Sequence, residues 1–277
     1  MDFPENGRSR VGPFSSWVRN RRSRQYVLVR TGLRQDKKAD PLTLAAAVAP
    51  LAAYALIFQT IVYMALPARL RTRVAPWVTG AVGAGLTLAT GVIFGFDRIG
   101  LVGGDPLTAI AWGALTVGVM SLLGWVMLTR DELRPQLADP RLASLSRREA
   151  ITQIFVRIPV FTALIEEAFF RGVLHAALIA LYPTEVAIWL GAGLFGLWHI
   201  GPGVDQAQAG DKTLRSSAFH MAITVVATTV AGAALVWLRV ETGSIWVPVA
   251  VHAGVNMTMA VFARAAARRR PAQLTTA

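Results

Sequence analysis

Several stretches of this chain are apolar over the length that a helix needs to cross a lipid bilayer. About 20 apolar residues span a hydrocarbon core of roughly 30 Å. Apolar segments of this length, or slightly shorter, occur in both halves of the sequence. We predict membrane-spanning helices at 42–66, 76–96, 107–128, 160–181, 185–200, 218–238 and 244–263.

The composition supports the same class of protein. Of the 277 residues 54% are hydrophobic and 16% are charged, whereas soluble domains have about 25% charged residues. The sequence therefore predicts an all-α fold, a polytopic transmembrane bundle of about seven or eight helices. The domain organisation that we expect is a basic tail, cytosolic or interfacial, at 1–41 and a transmembrane domain at 42–277.

The net charge of +12 is concentrated in the tail, the short loops and the C-terminus. Basic flanks of this kind face anionic lipid and the cytoplasm, so we expect a multi-pass protein of the cell membrane and no nucleic-acid partner. The C-terminal charges place loops 129–152 and 201–217 inside, and 182–184 and 239–243 outside. Seven crossings would put the basic tail outside, against the positive-inside rule; either one helix does not cross or one more exists.

Local signals predict how the second half of the chain begins. Ser146 and Glu149 have the spacing of a capping box, which starts a helix. Pro159 removes a helical hydrogen bond, so we expect an interfacial helix that kinks there and enters the bilayer. Residues 182–184 predict a tight turn. The absence of cysteine excludes disulfides, thiol catalysis and cysteine-ligated metal.

The most unusual polar residues are the adjacent carboxylates Glu166 and Glu167 inside an apolar segment. Ionisable groups at membrane depth are costly and need a structural or functional reason. Glu167 and Arg171 are four residues apart, share a helix face and can neutralise one another. Glu166 points about 100° away and is left without a local cation, which suits a general base. A purely structural ion-pair network is the alternative.

Two further clusters follow on other apolar segments. His199 ends one of them, and His252 and Asn256 lie four residues apart on the last. Together with Glu166 these side chains can hold and deprotonate a water, and Asn256 can donate to an oxyanion. Glu166, His199 and His252 are also a zinc-type ligand set, should Zn²⁺ be bound. Taken singly, each is explained as well by packing between helices; His175 and His220 are expected to be structural or loop-facing.

The three clusters together resemble the signature of the CPBP family, the CAAX-protease and bacteriocin-processing intramembrane proteases formerly grouped with Abi proteins. That signature is EExxxR, then FxxxH, then HxxxN. Here it reads Glu166-Glu167-Ala-Phe-Phe-Arg171, Phe195-Gly-Leu-Trp-His199 and His252-Ala-Gly-Val-Asn256. The resemblance covers roughly 146–263, which would then be the catalytic core.

The resemblance implies an intramembrane catalytic cavity in which Glu166, with His199, activates the attacking water. It implies that His252 and Asn256 stabilise the oxyanion and that Glu167 and Arg171 order the site. Members are often labelled metalloproteases, although a metal-independent glutamate mechanism is the other option. The eukaryotic branch cleaves prenylated proteins; the Ala-, Arg- and Gly-rich composition suggests a bacterial source, for which a membrane-associated peptide or an unprenylated protein tail is expected.

Other classes of intramembrane protease lack their signatures in this sequence. There is no HExxH and no Gly-x-Ser-Gly, and Gly103-Gly104-Asp105 misses GxGD because Val102 stands where glycine is needed. The alternatives that remain are a transporter whose buried Glu and His relay protons, and a non-proteolytic immunity or scaffold protein of the same fold.

Overall fold

A computed structural model of the chain describes residues 65–201 and 214–269, with 50, 51, 53–58, 61 and 62 before them. The predicted tail at 1–41 and much of the first predicted span lie outside the described residues. So do residues 202–213 of the predicted polar loop.

The described part of the chain is built from helices, which confirms the all-α class. Its helices are α1 (Ala68–Phe94), α2 (Pro106–Thr129), α3 (Arg134–Leu137), α4 (Pro140–Ser144), α5 (147–181), α6 (Thr184–Trp198), α7 (Leu214–Thr242) and α8 (Trp246–Arg268). A π-helical turn, Tyr54–Phe58, precedes them. Within the described ranges, three stretches are long and apolar enough to cross a membrane: Pro106–Thr129, Ala218–Thr242 and Trp246–Arg268.

Two predicted boundaries were wrong, because the bilayer-length criterion reads only apolarity. α1 begins at Ala68 rather than at 76 and includes the arginine cluster that follows Pro67; alanine, leucine and arginine are all strong helix formers. α7 continues through 239–242, which we expected to be a loop. The helix ends just before Gly243, whose φ of +67° is a conformation that suits glycine directly after a helix C-terminus.

The start of α5 confirms the predicted capping box. The Ser146 N–H donates to Glu149 Oε2 at 2.9 Å, and the Glu149 N–H donates to Ser146 Oγ at 3.3 Å. The helix does not break at Pro159, which lies in a π-helical stretch, Gln153–Leu164. A second π-helical stretch, Ala168–Leu174, follows the two glutamates. Such wide turns occur most often at functional sites.

α5 is the central helix of the bundle. It packs against α1 on one side and α8 on another, and its residues Phe169, Phe170, Val173 and Leu174 are almost wholly buried. α8 also packs along α2, and α6 packs along α7. Gly254 permits the close approach of α8 to α2, because an added Cβ would lie 3.3 Å from Thr116 Cγ2. The functional side chains therefore come from helices that share one core.

Arg264, near the end of α8, attaches the linker before α5 to the last helix. Its Nη2 donates to the carbonyls of Leu145 at 2.7 Å and Ser146 at 3.5 Å, and its Nη1 donates to the carbonyl of Leu142. These carbonyls lie where α4 ends and α5 begins. The end of a helix leaves carbonyl groups without intrahelical partners, and a cation there satisfies them.

We predict that Arg264→Gln lowers the unfolding temperature of the protein in detergent, because three carbonyl contacts between α8 and the α4–α5 linker are lost. Circular dichroism during heating measures the change. Arg268→Gln, at an exposed position of the same helix, is the matched control and should unfold near the wild-type temperature. Equal unfolding temperatures for the two variants would contradict the proposed attachment.

Candidate active site

Glu167 is the centre of the polar contacts in the bundle. Its side chain is 0% exposed, and its Oε1 accepts hydrogen bonds from Arg171 Nη1 at 3.0 Å and from His252 Nδ1 at 2.7 Å. The ion pair expected from the spacing of Glu167 and Arg171 is therefore present, and it extends to α8. Because an ionised carboxylate only accepts, Nδ1 of His252 carries the hydrogen and Nε2 is the ring atom left for other contacts.

Arg171 connects this carboxylate to two more helices. Its side chain is 0% exposed, and its Nη2 donates to the carbonyl of Gly232 on α7 at 3.3 Å. Its guanidinium carbon lies 4.1 Å from the ring centroid of Phe195 on α6, which is a cation–π contact. A buried guanidinium is thus compensated by one carboxylate, one carbonyl and one aromatic face.

His199 directly follows α6 and has a defined ring orientation. Its Nδ1 lies 2.8 Å from the carbonyl oxygen of Phe195. Because a carbonyl only accepts, Nδ1 donates, and Nε2 is the ring nitrogen left for other contacts. The Phe195 ring contacts both imidazoles, with its centroid 4.6 Å from that of His199 and 6.1 Å from that of His252.

Glu166 faces a different environment from its neighbour. It lines a small cavity of about 20 Å³, enough for an ordered water. The other lining residues come from α1, α5, the end of α6 and the π-helical turn: Tyr54, Thr79, Gly80, Phe161, Ile165, Phe169, Phe170 and Trp198. The Oε2 atom of Glu166 is buried and has no hydrogen-bond partner among the described residues.

The structure brings only some of the predicted site residues into direct contact. Within the described ranges no hydrogen bond joins Glu166 to either imidazole, and neither His199 nor His252 lines the cavity beside it. Asn256 lies one helical turn after His252 on α8 and is partly buried. Of the two other histidines, His175 is buried and His220 is exposed.

The three side chains of the alternative zinc set do not converge in this arrangement. Among the residues that the structure describes, no group of three or more His, Asp or Glu side chains is placed to hold a metal ion. The contacts of Nδ1 with Phe195 and Glu167 leave Nε2 of each ring available, but the side chains as they stand are too dispersed to form a metal centre.

Residues 148–258 match the Rce1-like family, described as type II CAAX prenyl endopeptidase Rce1-like. The match confirms the family resemblance found in the sequence motifs. This Rce1-like segment contains all seven motif residues: Glu166, Glu167, Arg171, Phe195, His199, His252 and Asn256. No curated protein and no solved structure matches the chain.

Parts of the cavity lie outside the Rce1-like segment and were missed at the level of sequence. Tyr54, Thr79 and Gly80 form its far wall, and no local pattern sets them apart from other residues of apolar helices. Trp198 directly precedes His199 in the second motif, so the sequence did indicate that Trp198 lies near the site. Phe195 was known as a motif residue, but its contacts with both imidazoles could not be predicted from the sequence.

We predict that substitution of the two adjacent glutamates of the Rce1-like segment affects stability to very different extents. Glu167→Gln leaves the buried Arg171 without its carboxylate and should destabilise the protein by about 3–5 kcal/mol. Glu166→Gln should leave stability almost unchanged, because Glu166 makes no ion pair with a described residue. Denaturant unfolding in mixed micelles measures both. Similar losses for the two variants would show that Glu166 also has a structural partner.

Proposed function

We propose that this chain is an intramembrane endopeptidase that hydrolyses a peptide bond of a membrane-associated protein or peptide with a water activated by Glu166. The observation that carries the proposal is the buried Oε2 of Glu166, which has no hydrogen-bond partner among the described residues and lies beside a cavity large enough for water. The Rce1-like match supports an endopeptidase of the CAAX type in general. The long apolar helices support a site within the membrane.

The proposed reaction begins at Glu166. Its carboxylate accepts a proton from the water while the water oxygen forms a bond to the carbonyl carbon of the substrate. The carbonyl π electrons move to oxygen, which gives a tetrahedral oxyanion. When this intermediate collapses, the C–N bond breaks and the proton is transferred to the leaving amine, so the carboxylate of Glu166 is regenerated.

The oxyanion is assigned to Asn256 and His252 on α8. The Asn256 amide can donate a hydrogen bond directly. Because Nδ1 of His252 is directed at Glu167, only its Nε2 is left for the substrate, and Nε2 donates only when the ring is an imidazolium. The Glu167 carboxylate stabilises that imidazolium, much as the aspartate of a catalytic triad stabilises its histidine.

His199 and the Glu167–Arg171 pair complete the proposal. His199 can assist Glu166 through Nε2 by receiving the proton on its way to the leaving amine. Arg171 holds the Glu167 carboxylate in place, which in turn orients His252. We propose a membrane peptide or an unprenylated protein tail as substrate, in line with the bacterial character of the composition.

We predict that Glu166→Gln lowers the cleavage rate by about 10²–10⁴-fold, because an amide cannot accept the proton of the water. Comparison of membrane-protein termini in cells that produce wild-type or Glu166→Gln protein measures the loss and identifies the substrate. Glu185→Gln, at an exposed position of α6, is the control and should cleave normally. Termini that are identical in wild-type and Glu166→Gln cells would rule out Glu166 as the base and favour a non-proteolytic role.

We predict that chelation of divalent metal ions leaves the cleavage rate within about twofold, because a glutamate base needs no metal ion. The measurement compares purified protein in liposomes before and after treatment with EDTA and 1,10-phenanthroline. A loss of activity that added Zn²⁺ restores would instead support the metal-dependent alternative through Glu166, His199 and His252.

A further inference from the structure

The polar atoms of the Glu166 cavity are few. Of the nine lining residues, only Tyr54, Thr79, Glu166 and Trp198 have polar side-chain atoms; the remainder are Gly80, Phe161, Ile165, Phe169 and Phe170. Among the described residues, the side-chain partners of a water in this cavity therefore come from this set of four. Neither imidazole of the motifs lines the cavity. The second acceptor for the water, besides Glu166, must therefore be another of these lining residues.

Tyr54 is suited to be that acceptor. Its hydroxyl donates to the backbone carbonyl of Thr79 at 2.6 Å. A phenol has a single proton, and this one is already used. Toward the cavity the Tyr54 oxygen can therefore only accept a hydrogen bond.

The position of the Tyr54 ring is closely defined by its neighbours. The side chain is 6% exposed, and its ring centroid lies 4.7 Å from that of Phe169 and 5.3 Å from that of Trp198. On the other side, Gly83 of α1 leaves room for the hydroxyl, because an added Cβ would lie 2.9 Å from Tyr54 Oη. The oxygen is thus held at a fixed place in the wall that faces Glu166.

We propose that Tyr54 is a positioning residue for the attacking water, an inference that rests on the proposed hydrolase function. The water donates one hydrogen to the Glu166 carboxylate and the other to Tyr54 Oη. Because both hydrogens of the water are then held in hydrogen bonds, a lone pair of its oxygen is available to attack the carbonyl carbon of the substrate. During attack Glu166 takes the first proton, and the second remains on the new O–H group, so Tyr54 gains and loses nothing. Tyr54 lies outside the Rce1-like segment, whose match does not assign it a role.

The first test removes the Tyr54 hydroxyl, and with it both the accepting oxygen and the hydrogen bond donated to the Thr79 carbonyl. The probe is a library of peptides from digested membrane proteins, added to wild-type protein in liposomes, and the fastest-cleaved peptide is then assayed singly. Tyr54→Phe should lower kcat by about 10- to 100-fold through misplacement of the water. KM should change by less than about threefold, because the substrate keeps its contacts. The unfolding temperature is measured on the same samples.

A second variant moves the phenol and keeps its hydroxyl. Gly83→Ala places a methyl group against Tyr54 Oη, and also 3.0 Å from Ile165 Cγ2, so the cavity wall must shift and kcat should fall. Gly85→Ala is the matched control on the same helix, since an added Cβ there meets nothing within 4 Å. It should retain the wild-type kcat.

The outcomes separate this inference from the proposed function. If Glu166→Gln is inactive while Tyr54→Phe and Gly83→Ala keep the wild-type kcat, the hydrolase stands and the role of Tyr54 is wrong. A kcat that falls only in proportion to the folded fraction would make Tyr54 structural, and would also overturn it. If the library is not cleaved, or Glu166→Gln still cleaves it, the proposed function itself fails.

Discussion

The buried carboxylate of Glu167 is the interaction on which the arrangement of the helices around the site depends. A buried charge without a partner is strongly destabilising, and the Arg171 side chain has no exposed surface. Glu167 compensates it and also receives His252 from α8. Through these contacts and the Gly232 carbonyl, α5, α7 and α8 meet at one point, beside Phe195 of α6.

Two neighbouring glutamates have different chemical environments because successive side chains of a helix point about 100° apart. Glu167 faces the cation and the histidine, and its charge is compensated there. Glu166 faces an aromatic cavity, and one of its oxygens has no hydrogen-bond partner in the part of the chain that the structure describes. In this apolar core the Glu167 carboxylate is needed to compensate Arg171, and the Glu166 carboxylate is the one that we propose as the base. The π-helical stretches on both sides of the pair show that this part of α5 departs from regular geometry.

The sequence predicted those parts of the fold that depend on residues close together in the chain. The capping box at Ser146 and Glu149, the turn at 182–184 and the long span at 107–128 all follow from spacing or apolarity, and all are present. The start of α1 and the end of α7 were predicted wrongly, because polar but helix-forming residues extend both helices beyond their apolar parts. Pro159 predicted a kink in α5; the chain is helical there and has the wider turns of a π-helix.

The sequence by itself determined the all-helical class, the motif residues and the pairing of Glu167 with Arg171, since a spacing of four residues places two side chains on one helix face. Only the tertiary structure decided which glutamate receives His252, a partner 85 residues away, and that Tyr54 lies in the wall that faces Glu166. Helical periodicity defines the faces of each helix but not which faces meet. That depends on how side chains of several helices fill one shared core.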